Sequence, residues 1–233
     1  SDNITWSGTF TPSTNTEDDN NTLSLATSYT DTAGNAGPSA TTTNYEVDTM
    51  VPTISSVTAS WGAYLNETED DSSGTVTVVT SDAENSQTVT VSLNGTNYTG
   101  TVSDNSTTVT IAASGLQDLT DGSSYPLTTN VSDVAGNAAT ENTGTSFTYD
   151  KTSPTLAETT LVPSLTNDNS TQYTFSSNEG GTISIGGSCS SDNSTAVADN
   201  MTVSFADLED GTYSNCSITV TDSAGNSNTI NVN

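Results

Sequence analysis

The 233 residues of the chain include 28 aspartates and glutamates but only one basic residue, Lys151, so the net charge is −27. Proteins bind nucleic acids and anionic membrane surfaces through clustered lysine and arginine, and this composition argues against both kinds of partner. No apolar run approaches the ~20 residues that a membrane span needs, and no signal peptide is visible, which indicates a mature chain or a fragment.

Hydrophobic residues make up 30% of the chain, a low share that would fit disorder. They alternate with threonine and serine in many short runs, however, as in strands with one face in a core and one in water. No window has sustained helical periodicity. The sequence therefore predicts an all-β protein.

The first predicted elements lie in residues 1–48. Thr9 and Thr11 mark one strand, and Leu23 and Leu25 alternate in a second. The turn "YTDTAGNA" (29–36) follows, and the strand "NYEVD" (44–48) ends the segment.

Residues 49–150 divide into seven predicted strands. Asn94-Gly95 favours a tight hairpin between the third and fourth of them, and residues 112–119 suit a single helical turn. Seven short strands with such turns predict an immunoglobulin-like β-sandwich with strands A, B, C, C′, E, F and G. In that order, these strands are predicted at 54–60, 75–80, 88–93, 98–102, 109–112, 125–132 and 145–149.

The turn of the first segment recurs twice, as "VSDVAGNAA" (131–139) and "VTDSAGN" (220–226). It is predicted to join strands F and G, with glycine at positive φ and the Asp and Asn side chains bonding turn amides. Asp48 and Asp150 end matching strands 102 residues apart, and a proline soon follows each. The predicted domain boundaries are therefore 1–48, 49–150 and 151–233, which we call units one, two and three.

Unit one reaches its F–G turn by residue 31, so strands A to D are missing from it. Three strands with half a core are not expected to be stable alone. One interpretation is a slice of a longer array that begins within a domain. The other is that a neighbouring chain supplies the missing strands, which would give end-to-end assembly into a filament.

Unit three contains both cysteines, Cys189 and Cys216. With no second pair and no histidine, a zinc site is not expected, and a structural disulfide in an oxidising compartment is predicted. In addition, "LTDGSSY" (119–125) in unit two matches "LEDGTY" (208–213) in unit three. Both phrases resemble the tyrosine corner of immunoglobulin-like sandwiches.

These phrases resemble bacterial immunoglobulin-like repeats, above all the Asp-x-Ala-Gly-Asn turn followed by a strand that ends in Asp and then Pro. The resemblance covers nearly the whole chain. It implies tandem immunoglobulin-like domains in an elongated extracellular array, such as the stalk of a giant surface adhesin or a fibre. It also implies calcium between domains. Lys151 departs from the threonine that is commoner at its linker position.

The acidic residues support calcium independently, because they crowd at both predicted junctions with at most one lysine to pair them. Ca²⁺ takes six to eight oxygen ligands, which such clusters supply. The simpler interpretation is that Asp and Glu occupy loops and keep the surface solvated. The candidate ligands at the first junction are Glu17, Asp18, Asp19, Asp48 and Asp133, and those at the second are Glu69, Asp70, Asp71, Asp121, Asp150 and Asp222.

Catalysis is not expected, because acid–base work would depend on carboxylates in hairpin loops without an enclosing cleft. The predicted function is a structural spacer whose partners are neighbouring copies or repeats, with a host or environmental surface bound through other domains. The alternative is an adhesion module that grips a carbohydrate or protein with its end loops. Asn-x-Ser/Thr sequons offer possible glycosylation sites, although a chain so rich in Asn, Ser and Thr contains many of them by chance. The candidate sites are Asn66, Asn94, Asn97, Asn105, Asn169 and Asn193.

Overall fold

The computed structural model describes residues 7–232. This part of the chain is built almost entirely of short β-strands, and the predicted all-β, immunoglobulin-like architecture is confirmed. Of the helices in the described residues, none is long and apolar enough to span a membrane.

Unit one has four short strands in two separate antiparallel pairs. The strand predicted around Thr9 and Thr11 is not formed, and residues 7–13 have no regular structure. No described residue of this unit is buried. The pairs are β1 (Glu17–Asn21) with β4 (Tyr45–Asp48), and β2 (Ser24–Leu25) with β3 (Ala40–Thr41).

Unit two is a sandwich whose sheets have the orders β10-β7-β5, β13-β12-β8-β9 and β11-β14-β6. Its strands are β5 (Thr53–Ala59), β6 (Tyr64–Leu65), β7 (Gly74–Ser81), β8 (Thr88–Leu93), β9 (Thr96–Thr101), β10 (Ser106–Ile111), β11 (Ser123–Tyr125), β12 (Thr128–Val131), β13 (Asn142–Thr143) and β14 (Phe147–Tyr149). Its helical turns are α1 (Glu67–Asp70) and α2 (Ala113–Gln117).

The core of unit two follows from the alternation along its strands. In β7, Val76 and Val78 are fully buried while Thr75 and Thr77 face outward. The same alternation in β8 and β10 places valines from both sheets in one core, as sandwich packing requires. The Asn94-Gly95 hairpin forms as predicted, with φ of 49° and 79° at its two residues.

Strands F and G of unit two differ from the prediction, because each is split between two sheets. Strand F becomes β11 and β12, interrupted at Pro126, which has no N–H to continue a ladder. Helix α1 was not predicted, although Asn66 and Glu69 have the spacing of a capping box. Asn66 accepts from the N–H of Glu69, and the Glu69 carboxylate accepts from the N–H of Asn66.

Unit three has two sheets, ordered β15-β16-β19 and β18-β17-β20-β21. Tyr173 and Phe175 from one sheet pack with Ile218 and Val220 from the other. The strands are β15 (Leu156–Thr160), β16 (Gln172–Ser177), β17 (Gly181–Gly186), β18 (Thr195–Ala196), β19 (Asp199–Ser204), β20 (Ser217–Thr221) and β21 (Ser227–Asn231).

The disulfide between Cys189 and Cys216 is present, with Cα atoms 5.4 Å apart. Cys189 follows β17 and Cys216 precedes β20, and these two strands are neighbours in one sheet. The bond therefore ties two strand ends within a sheet. It does not join the two sheets, as the disulfide of antibody domains does.

Both predicted tyrosine corners are also formed. The N–H of Thr120 donates to the hydroxyl of Tyr125 at 2.7 Å, and the hydroxyl of Tyr213 donates to the carbonyl of Glu209 at 3.0 Å.

Unit one differs from unit two in that the face that should form its core is uncovered. Leu25 and Leu127 are equivalent, yet Leu25 is 53% exposed and Leu127 only 2%. Tyr29 is 43% exposed, whereas its counterpart Val131 is 2% exposed. Strand E also lacks a strand B to pair with, which explains why residues 7–13 form no strand.

We expect this difference to appear in a matched pair of substitutions. Leu127→Ala should lower the free energy of unfolding of unit two by about 2–5 kcal/mol, because it leaves a cavity in a packed core. Leu25→Ala should change stability by no more than about 0.5 kcal/mol, since its side chain has no core to leave. Urea denaturation followed by circular dichroism measures both, and equal effects would contradict the exposed state of unit one.

The disulfide should stabilise unit three by about 3 kcal/mol, because it closes a loop of 27 residues in the unfolded chain. The double variant Cys189→Ala/Cys216→Ala should show this loss in denaturation of unit three. The transition of unit two serves as the internal control and should not move. Free thiols titrating in the native, unreduced protein would contradict the bond.

Candidate metal centre at the junction of units two and three

The repeated Asp-x-Ala-Gly-Asn turn is held together by its own first and last residues. In unit three, Asp222 Oδ1 accepts from the N–H groups of Ala224 and Asn226 at 2.8 and 2.9 Å, and Asp222 Oδ2 accepts from Asn226 Nδ2 at 3.1 Å. Gly225 has a φ of 96°, a backbone conformation that glycine adopts readily and residues with a Cβ atom rarely adopt. The turn is therefore a rigid unit specified by local sequence.

The asparagine of this turn also holds the preceding unit. Asn226 Nδ2 donates to the carbonyl of Asp150 at 2.8 Å, and Asn137 Nδ2 donates to the carbonyl of Asp48 at 3.2 Å. One amide group thus binds both its own aspartate and the strand end of the unit before it. Sequence reasoning identified these asparagines as turn residues and missed this second role.

Three carboxylates meet where units two and three join. Asp150, Glu179 and Asp222 each place one oxygen within 4.8 Å of the others. Asp222 is only 8% exposed, and Asp150 and Glu179 are half-buried. Glu179 Oε1 is buried and has no hydrogen-bond partner among the described residues. We call these three residues the junction triad.

The electrostatics of the junction triad are unfavourable without a cation. Burial raises the pKa of Asp150 above its usual value, and the neighbouring Asp222 carboxylate raises it further. Burial likewise raises the pKa of Glu179, with added repulsion from Asp222 and Asp150. The only lysine of the chain does not relieve this strain, because Lys151 Nζ lies over the ring of Tyr149, 5.9 Å from its centroid.

The residues present suit a hard cation. Ca²⁺ binds carboxylate and carbonyl oxygens and neutralises their mutual repulsion. The junction triad supplies three carboxylates, and the buried, unpartnered Glu179 oxygen is an acceptor that a cation would satisfy. Bound calcium would draw the three side chains together across the boundary between two units.

Four of the ligands predicted at this junction lie outside the junction triad, namely Asp121, Glu69, Asp70 and Asp71. Asp121 accepts from the N–H of Lys151 at 2.9 Å and from the hydroxyl of Thr152 at 2.5 Å, and these bonds lower its pKa.

The other three of these carboxylates lie on or beside α1. Asp70 is buried and accepts from the hydroxyl of Tyr149, Glu69 caps α1, and Asp71 accepts from Gln117 at 3.4 Å. These carboxylates are therefore already bonded to protein groups.

The first junction, between units one and two, has the same connection from the turn asparagine to the preceding strand end, but fewer carboxylates lie close together there. Glu17 lies opposite Asp48 in the β1–β4 pair, and Asp133 is buried in its turn. The exposed Asp18 and Asp19 lie further along β1. Across residues 7–232, no other set of three acidic residues comes as close as the junction triad.

Glu179 was not predicted, although its position could have been. It lies in the B–C loop, in the stretch "SNEGG" (177–181), between β16 and β17. The B–C loop is at the same end of the sandwich as the F–G turn, but none of the ligands predicted from the sequence lies in a B–C loop. The B–C loop and the F–G turn are also close together in unit two, where the N–H of Val134 in the turn donates to Oε2 of Glu84 in the loop at 3.0 Å.

Among the predicted glycosylation sites, Asn66 has a structural role at this junction. Its Oδ1 caps α1 and its Nδ2 donates to the carbonyl of Ala224 at 2.8 Å. A glycan on this nitrogen would have to fit between two units. The remaining sites, outside this contact, are Asn94, Asn97, Asn105, Asn169 and Asn193.

Substitution of the turn asparagines tests their connecting role. Asn226→Ala should lower the free energy of unfolding by about 1–3 kcal/mol, because it leaves a buried Asp222 oxygen and the Asp150 carbonyl without a donor. Asn35→Ala is the matched control, since Asn35 is exposed and bonds only within its own turn among the described residues. Thermal unfolding measures both variants, and equal losses would contradict the connecting role.

Comparison with known proteins shows similarity to one family of domains over the first part of the chain. Residues 1–47 match the bacterial Ig-like domain model. No curated protein sequence is similar enough to count as a match.

Several solved structures are similar to the chain. A Ca²⁺-stabilised adhesin with which an Antarctic bacterium binds ice is 23% identical, with a TM-score of 0.43; the match covers 86% of this chain and 52% of that one. A bacterial immunoglobulin-like domain of the M. primoryensis ice-binding adhesin is 28% identical, with a TM-score of 0.31, and covers 43% of this chain and 96% of that one.

A third similar structure comes from work on how a 1.5-MDa bacterial ice-binding adhesin is retained at the host cell surface. It is 22% identical, with a TM-score of 0.41, and the match covers 86% of this chain and 68% of that one. This chain thus spans about half the length of the first of these structures. The predicted resemblance to bacterial immunoglobulin-like repeats is confirmed, and residues 1–47 match that family directly.

Proposed function

We propose that this chain is an extracellular structural segment, in which immunoglobulin-like units 49–150 and 151–233 and the partial unit 1–48 are joined end to end. Such a segment would form the stalk of a surface adhesin or the shaft of a filament. The family match and the repeated connection through Asn137 and Asn226 support this proposal. The structural disulfide fits an oxidising compartment outside the cytosol.

Calcium at the junction triad is the second part of the proposal. The observation that carries it is the buried, unpartnered Glu179 Oε1, which lies with two further carboxylates at the boundary of two units. Asp150 ends unit two, while Glu179 and Asp222 belong to unit three. A cation held by all three residues would therefore restrict the angle between the units.

The fixed residues around the junction triad favour binding. The Asp222 carboxylate is held by two backbone N–H groups and by the Asn226 amide, so little side-chain freedom is lost when an ion binds. The Asn226 amide also fixes the backbone of Asp150. The ligands are thus positioned before the ion arrives.

A second calcium site is proposed at the first junction, with Asp48 and Asp133 as its principal ligands and Glu17 as the nearest further acid. Its support is the same Asn–carbonyl connection and the opposition of Glu17 and Asp48 across the β1–β4 pair. Fewer carboxylates converge there, so we expect weaker binding than at the junction triad.

Unit one is proposed to be the C-terminal part of a domain whose other strands come from outside residues 1–48. The exposed Leu25 and Tyr29 support this, because their counterparts in unit two are covered by strands A to C.

Calcium should raise the thermal stability of the chain. At a concentration one hundred times the dissociation constant, binding to the folded state alone stabilises by about 2.7 kcal/mol. Calorimetry should show a higher melting temperature in calcium than in chelator, and small-angle scattering should show a more extended, less flexible particle. Identical melting curves and scattering profiles in the two conditions would contradict the proposal.

Glu179→Gln should change stability in opposite directions in these two conditions. In chelator it removes one of three repelling carboxylates and should raise the melting temperature. In calcium it removes a ligand and should reduce the calcium-dependent shift. Glu209→Gln is the matched control, because Glu209 is exposed at the opposite end of unit three and should preserve the shift. A full calcium shift in Glu179→Gln would argue against the junction triad as the site.

A further inference from the structure

The outer face of the sheet β13-β12-β8-β9 carries a groove along the flank of unit two. The groove has a volume of about 650 Å³, which is within the range of pockets that bind small ligands. Outward-facing side chains of β8 and β12 line it, with Asn97 of β9 at one side and Glu141, just before β13, at the other. All of the lining residues belong to unit two, so neither end of the sequence contributes to the groove.

The alternation along β8 and β12 places polar side chains next to one another at the bottom of the groove. Thr90 and Ser92 face away from the core, and in the register of the sheet they lie opposite Asn130 and Thr128. All four residues are half-buried. Because neighbouring strands lie about 4.8 Å apart, these side chains form one compact set of hydrogen-bonding groups. We call these four residues the groove floor.

The polar groups of the groove floor are not bonded to one another, unlike those on the outer faces of unit three. In the described part of the chain, no residue makes a hydrogen bond with a side chain of the groove floor, with that of Asn97 or with that of Glu141. Cross-strand hydroxyls of unit three do bond each other, namely Thr174 with Thr202 at 2.8 Å and Thr219 with Thr229 at 2.7 Å. The groove floor therefore holds half-buried donors and acceptors that a ligand can satisfy.

The chemistry of the groove selects a neutral ligand that is rich in hydroxyl groups. The single lysine of the chain is in the linker at position 151, so an anionic ligand would find no cation in the groove and would be repelled by Glu141. Threonine and serine hydroxyls both donate and accept, and the Asn130 amide offers an acceptor beside two donors. Such groups complement the adjacent hydroxyls of a sugar ring, which also donate and accept.

The position of the groove argues against an extended peptide as its ligand. A peptide strand adds to a sheet through the unpaired backbone groups of an edge strand. Here β8 is paired with β9 and β12, and β12 is paired with β8 and β13, so both central strands are already flanked. The aromatic anchors of protein interfaces need apolar pockets, and the groove floor is entirely polar.

We propose that this groove binds a neutral oligosaccharide through hydrogen bonds from the groove floor, Asn97 and Glu141. The site lies on a sheet face, requires no calcium, and adds a binding role to the structural role of the segment. Its ligand is held by hydrogen bonds made in competition with water, each of which contributes little net free energy. We therefore expect a dissociation constant on the order of 1 mM for a single site.

Titration of the ¹⁵N-labelled chain with maltotriose, mannotriose, galactotriose and triacetylchitotriose tests the proposal. At least one of these sugars should shift the side-chain amide signals of Asn97 and Asn130 and the backbone signals of β8 and β12, and the shifts should saturate. Sialyllactose, which carries a carboxylate, should bind more weakly. No saturable shift with any of the four neutral sugars at about 10 mM, ten times the expected constant, would overturn the proposal.

The double variant Thr90→Val/Thr128→Val removes two hydroxyls of the groove floor and keeps the shape and strand preference of both side chains. It should weaken sugar binding about tenfold, because the hydrogen bonds of both hydroxyls are lost. The matched control is Thr182→Val/Thr219→Val, which makes the same change on the outer face of the corresponding sheet of unit three and should bind like the wild type.

Asn97→Ala is a second test variant, and it should also weaken binding. Asn97 is exposed, so its substitution leaves the core intact even if the double variant proves unstable. Wild-type affinity in Asn97→Ala and in the double variant would overturn the proposal. Groove shifts caused by a soluble glycine–serine peptide and not by the sugars would also overturn it. Sugar affinity should be the same in calcium and in chelator, so this proposal and the junction triad fail independently.

Discussion

The arrangement of this molecule depends on one side-chain amide used twice. In the Asp-x-Ala-Gly-Asn turns of units two and three, the asparagine Nδ2 bonds its own aspartate and the last carbonyl of the preceding unit. The first bond makes the turn rigid, and the second makes a rigid turn into a connection between domains. Aspartate has no amide donor and glutamine is one methylene longer, so neither residue makes both bonds in this geometry. The phrase therefore repeats the connection itself at Asn137 and Asn226, whereas Asn35 of unit one makes only the first bond among the described residues.

The second constraint is charge. With a single lysine in the chain, the carboxylates near the second junction must find neutral donors, and several of them do. Asp70 takes the Tyr149 hydroxyl, Asp121 takes an N–H and a hydroxyl from the linker, and Asp222 takes backbone amides. Glu179 retains an unsatisfied oxygen after all of these bonds are made. A cation is the kind of partner that completes this set, which is why the junction triad differs from an ordinary acidic surface.

Much of the fold can be predicted because it is encoded locally. The hairpin at Asn94-Gly95, the F–G turns and the valine alternation in β7 each follow from a few adjacent residues. The splitting of strand F at Pro126 depends on which sheet each half joins, which is a property of tertiary packing. The strand expected at Thr9 and Thr11 fails for the same reason, since its alternation is present but its pairing partner is not.

The candidate site was only partly predictable. Asp150 and Asp222 lie next to recognisable linker and turn sequences, so their convergence could be predicted. Glu179 enters from a loop with no repeated phrase, and its proximity becomes evident only when the B–C and F–G loops are placed at the same end of the sandwich. Glu69 and Asp70 were predicted as ligands because acidic residues crowd at the second junction, but a helical turn and a buried tyrosine already bond them.

The position of the disulfide has a mechanical consequence for a chain under tension. A pulling force applied through the linkers would enter unit three at β15 and leave at β21. If the unit unravelled, the segment between Cys189 and Cys216, with a sequence separation of 27, could not extend. At roughly 3.4 Å per residue, about 90 Å of contour length would remain locked. Unit two, which contains no cysteine, would release its whole length, so the two units would lengthen by different amounts when stretched.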